Sequence, residues 1–118
     1  VTDVVLINTD GVTVTESGTW VNGKKDGKAE TVSSSTTPEN EVRFYFADTS
    51  GGNVAFKPPA TGTEGVVWTF KKMDSANLMI ITPIGGTTVD SEPTRNYSSQ
   101  YDTVTITWNE TEGEYSIV

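Results

Sequence analysis

The sequence predicts an all-β protein: an antiparallel barrel of about eight to ten strands or, if it does not close, a β-sandwich. Three observations carry this. Apolar and polar residues alternate at period two in run after run, turn chemistry falls between the runs, and helical periodicity is nearly absent. The 118 residues fit one domain, 1–118, with no internal repeat and no boundary.

In chain order, Val4–Ile7 and Val12–Thr15 flank the turn "TDG" at 9–11, and Thr19–Val21 sits within "GTWVNG". The polar run Asn22 to Thr37 is no helix, with glycines at 23 and 27 and three serines in a row. Within it, "KDG" at 25–27 turns the chain into Ala29–Ser33, and "SSSTTPEN" at 33–40 reads as the least ordered loop. In "EVRFYF", Val42, Phe44 and Phe46 share one face, while Arg43 and Tyr45 share the other. After "SGG" comes Asn53–Lys57. "GVVWTFKK" then aligns Val66, Trp68 and Phe70 opposite Val67, Thr69 and Lys71. "NLMIITP" is apolar on both faces, which marks a central strand stopped by Pro83. Thr87–Asp90 follows "IGG". "DTVTITW" alternates Val104, Ile106 and Trp108 with three threonines, and Glu114–Val118 closes the series after "EGE".

Composition sets the class. Threonine and serine make about a quarter of the chain, hydrophobic residues 34%, and the mean hydropathy is −0.35, a lean core with wet outer faces. Eight basic against sixteen acidic residues give a net charge of −8. That charge repels phosphate backbones and anionic lipid, so no nucleic-acid partner is expected. No stretch is long and apolar enough for a membrane span. Without cysteine or histidine there is no disulfide, thiolate nucleophile or Cys/His metal site, and no imidazole base. Neither a cofactor nor a metal is expected. The start at Val1 reads as a mature fragment, with a lipid anchor on a missing preceding segment as one expectation.

Candidate chemistries are few. Glu39 with Glu41, or Glu110, Glu112 and Glu114 around a turn, would be the carboxylate pairs of a glycosidase, but nothing in the sequence surrounds one with an apolar pocket. They read as a solvated acidic rim. "DTSGGN" at 48–53 has the oxygen-rich look of a calcium loop without its further carboxylates, so a hairpin turn explains it. No serine stands in a nucleophile frame. The chain is therefore not expected to be an enzyme. Asn96 and Asn109 match the glycosylation acceptor pattern, which matches by chance in a chain so rich in serine and threonine. Most aromatic rings alternate with Val or Ile and read as core: Phe44, Phe46, Phe56, Trp68, Phe70 and Trp108. Tyr97 and Tyr101 differ. They lie in "RNYSSQYD" beside Arg95, where rings among amides and carboxylates suit sugar stacking, or else a wet tyrosine covering a rim.

The order of landmarks resembles the lipocalin-like domains of secreted lipoproteins from Bacteroidetes-type bacteria. The matching residues are Gly18 and Trp20, Phe44 and Phe46, Gly51 and Gly52, Gly65 with Trp68, and Leu78 with Ile80, over about residues 17–82. The resemblance implies a barrel whose floor is plugged by Trp20, and an extracytoplasmic monomer: an outer-membrane lipoprotein, periplasmic or secreted. Its ligand would be a small molecule or glycan, met by Tyr97, Tyr101 and Arg95. The other expectation is a structural, adhesive or carbohydrate-binding β-sandwich module of a longer surface protein.

Overall fold

The computed structural model describes residues 28–118 in full, together with the backbone of β1 (Thr19–Val21) and β2 (Lys24–Asp26). The expected strands Val4–Ile7 and Val12–Thr15 lie outside the described residues, as does the Trp20 side chain. On the backbone, Trp20 pairs with Lys25 across the antiparallel β1–β2 pair.

No helix occurs among the described residues. β3 (Lys28–Val32), β4 (Val42–Ala47), β6 (Val67–Lys72), β9 (Thr103–Asn109) and β10 (Glu114–Ile117) form one sheet in the order β10-β9-β6-β4-β3. β5 (Val54–Phe56), β7 (Met79–Ile81) and β8 (Arg95–Tyr97) form a second in the order β5-β7-β8. The two are open sheets, and neither closes into a barrel. Their facing sides share one core, which makes the arrangement sandwich-like.

Pairing is mixed. β6–β9, β9–β10 and β7–β8 run antiparallel, as the alternation suggested, but β3–β4, β4–β6 and β5–β7 run parallel. The cause is the route of the chain. From β3 it crosses to the smaller sheet at Thr36, which bridges Phe56 in parallel. It returns as β4, crosses as β5, returns as β6 and crosses again as β7. A strand that leaves its sheet and comes back by way of the other sheet re-enters in the same direction, so the crossover that parallel strands need is here a strand. Segment 33–40 is accordingly not the loose loop expected. Thr36 donates to the Ala55 carbonyl and accepts from Lys57 N, and Pro38 is buried.

The interior is aromatic. Phe56 of the smaller sheet lies 4.4 Å from Phe70 and 5.4 Å from Tyr45 of the larger, centroid to centroid. Tyr115 stands 5.0 Å from Trp108 and 6.0 Å from Trp68. The polar atoms of these rings are satisfied, as burial requires. Trp68 Nε1 donates to the Glu39 carbonyl, Tyr45 Oη accepts from Glu39 N, and Tyr115 Oη donates to the Pro59 carbonyl.

One strand overturns the expected phase. Lys28 faces Val42, yet Ala29 faces Phe44, so β4 spends an extra residue, Arg43, in a β-bulge. Val42, Tyr45 and Ala47 therefore point inward. Phe44, assigned to the core by alternation, is 44% exposed, and Phe46 is half-buried on the outer face. Trp68 and Trp108 are buried. The apolar β7 is central within its sheet, but Ile80 on its outer side is only half-covered.

Candidate functional site

"RNYSSQYD" is not a loop throughout, since its first three residues form β8 against β7. Arg95 and Tyr97 stay on one face of that strand, while Tyr101 lies beyond its end. Arg95 straps the neighbouring turn, its Nε donating to the Val89 carbonyl and its Nη2 to that of Asp90. Tyr97, opposite Met79, packs partly against the core, and burial pushes its phenol up from its ordinary value. Tyr101 alone stands out, 57% exposed.

Tyr101 is placed by a second bulge. Its N–H donates to the Lys72 carbonyl while Lys72 N donates to the Asp102 carbonyl, so two residues face one. Asp102 N also closes a turn on the Ser99 carbonyl at 3.1 Å, and Tyr101 takes the third position at φ = 70°. Glycine ordinarily occupies that position, because a Cβ in the left-handed region costs about 1 kcal/mol. The Lys71 ammonium lies 5.1 Å from the Tyr101 ring centroid, a cation–π contact that fixes the ring on the outer side of the larger sheet. Beside it, Gln100 Nε2 donates to the Met73 carbonyl.

The same end of the sandwich holds a polar knot built on Lys72, Thr49 and Asp74. Lys72 is fully buried, its Nζ donating to the carbonyls of Asp74 and Ala76. Thr49, also buried, donates its N–H and hydroxyl to the two Asp74 oxygens, and Asn77 Nδ2 donates to the Thr49 carbonyl. Burial tends to raise the Asp74 carboxyl. The Thr49 hydroxyl, the Ala76 and Thr49 N–H groups and the Lys72 charge outweigh it and hold the carboxyl below its ordinary value. Every donor here has a structural acceptor, so the knot ties loop 48–53 to loop 73–78. A signal for it was present, because the phase of "VWTFKK" sends Lys72 inward with Trp68 and Phe70.

Two of the candidate carboxylates have structural partners. Glu110 accepts from Trp108 Nε1, and Glu114 accepts from the Thr88 hydroxyl and Ser91 N. In "DTSGGN", Asp48 Oδ1 caps its own turn through Ser50, and Asn53 Oδ1 accepts from Leu78 N. Among the described residues, no three acidic side chains gather as a metal site would require.

The chain matches no family model, and no curated protein is significantly similar to it. The arrangement offers an interior closed by rings and an outer sheet face on which Phe44, Phe46, Lys71 and Tyr101 are displayed.

Proposed function

We propose that the chain is a non-enzymatic β-sandwich module of an extracytoplasmic surface protein, adhesive or structural in role. It works through its outer surface rather than through an internal cavity. The filled interior carries this reading. Tyr45, Phe56 and Phe70 meet across the two sheets, and Trp68, Trp108 and Tyr115 meet beside them. A carrier of the lipocalin kind needs that volume for its ligand. The extracytoplasmic setting, whether secreted or lipid-anchored, rests on the Thr/Ser-rich, acidic, Cys-free composition and on the likeness to secreted lipoprotein domains.

Titration with an apolar fluorescent probe such as 1-anilinonaphthalene-8-sulfonate and with a long-chain fatty acid tests it. The module takes up neither in its folded state. Saturable one-to-one binding of either would establish an internal site and overturn the proposal.

A further inference from the structure

We propose that the outer face of the five-stranded sheet is a docking platform for an extended neutral polysaccharide, with Phe44, Phe46 and Tyr101 as its stacking rings. The inference rests on the surface-module reading above and names its partner.

Two independent departures from regular β geometry put rings on this one face. The Arg43 bulge turns Phe44 and Phe46 outward where plain alternation would bury them. The second bulge holds Tyr101 in the left-handed region, where glycine would cost less. Conformational strain retained at an exposed aromatic side chain points to use of that side chain. The register joins the two places: Phe46 lies beside Lys71 on the neighbouring strand, and the Lys71 ammonium rests over the Tyr101 ring.

The rest of the face fits a polyhydroxylated, uncharged ligand. Around the rings the outward strand positions include Ala29, Thr31, Thr69, Thr103 and Thr105, with Lys71. No carboxylate stands at these strand positions, and Asp102, next to Tyr101, has its Oδ2 engaged by Ser99 N. Ring faces stack on the C–H faces of sugars, and hydroxyls and the ammonium donate to sugar oxygens. Sheet rows about 4.8 Å apart and a rise of about 6.7 Å per two residues spread the rings over an open face, suited to an extended chain rather than to a buried single sugar.

The test is a pull-down of the protein on insoluble cellulose, chitin, xylan and mannan, followed by titration with the hexasaccharide of whichever polymer retains it. Two variants, Phe44→Ser and Tyr101→Gly, are run alongside. The expected result is retention on at least one polymer that persists at about 0.5 M salt, since no charge pairing is involved. Each variant weakens it about tenfold or more. Tyr101→Gly keeps or raises the melting temperature, because glycine relieves the left-handed strain. Retention on none of the polymers overturns the proposal, as does retention that both variants leave unchanged. A fall of more than about 5 °C in the Tyr101→Gly melting temperature, ~1 kcal/mol, would make the ring structural and overturn it too. Apolar-probe uptake bears only on the module reading, so the two failures are distinguishable.

Discussion

Trp108 lies directly over Gly62: a Cβ on this glycine would come within 2.7 Å of Trp108 Cβ and 2.8 Å of its indole ring. The loop before β6 thus closes on the end of β9 by backbone-to-ring contact. Gly62→Ala must displace the indole or the loop, and the expected loss is about 1–3 kcal/mol in a urea titration. Gly51, whose Cβ would meet nothing within 4 Å, is the control. Gly51→Ala should change stability by less than about 0.5 kcal/mol.

The bulge in β4 makes adjacent aromatic residues unequal. Tyr45 is buried between Phe56 and Phe70, whereas Phe44 is 44% exposed. Tyr45→Ala should cost ~3–5 kcal/mol and Phe44→Ala less than about 1 kcal/mol, read as shifts in denaturant midpoint. The reverse order would restore the alternation read from "EVRFYF" and remove the bulge.

Lys72 is the main buried cation among the described residues, and its acceptors are backbone carbonyls. Lys72→Met keeps the apolar stem but takes the donor from the Asp74 carbonyl and leaves the Ala76 carbonyl only the Thr49 hydroxyl at 2.6 Å. The expected cost is ~2–3 kcal/mol, with faster hydrogen exchange across residues 73–77. Unchanged stability would mean that water satisfies those carbonyls equally well.

Stability should fall at both ends of the pH range. Asp74 and Glu114 are held below their ordinary values of 3.8 and 4.5, Asp74 as described and Glu114 chiefly by the Thr88 hydroxyl and Ser91 N–H. Their contribution is present above those values and disappears as pH falls through the lower folded ones. Burial pushes the Tyr115 phenol from 10.0 up to about 12. The folded state keeps that proton after the unfolded chain has lost it, so stability present below pH 10 declines as pH rises toward 12. Melting temperature against pH checks both limbs. Asp74→Asn should flatten the acid limb, and Tyr115→Phe the alkaline one.

Much of the fold was legible where physics acts locally. The faces of Val104, Ile106 and Trp108, and of Trp68 and Phe70, follow from period two because each strand has one wet side. Strand direction was not legible. A half-buried strand alternates in the same way whether its neighbour runs parallel or antiparallel, and the crossings through the smaller sheet leave no residue signature. The bulge at Arg43 was equally silent, since one extra residue inverts a face without changing the composition. Of the site expected from "RNYSSQYD", the sequence set Tyr97 and Tyr101 alike apart from the core rings, whereas Tyr97 packs partly against the core. Nor did the sequence reveal that Arg95 is spent on carbonyls of the adjacent turn.

The central claim is that rings from the two sheets fill the interior. Two-dimensional NOE spectroscopy on the folded protein tests it most directly. With centroids 4.4 Å apart, Phe56 and Phe70 should give strong ring-to-ring cross-peaks, and Tyr45 should give cross-peaks to both. A folded protein that lacks Phe56–Phe70 cross-peaks and shows these rings in contact with water would contradict the account.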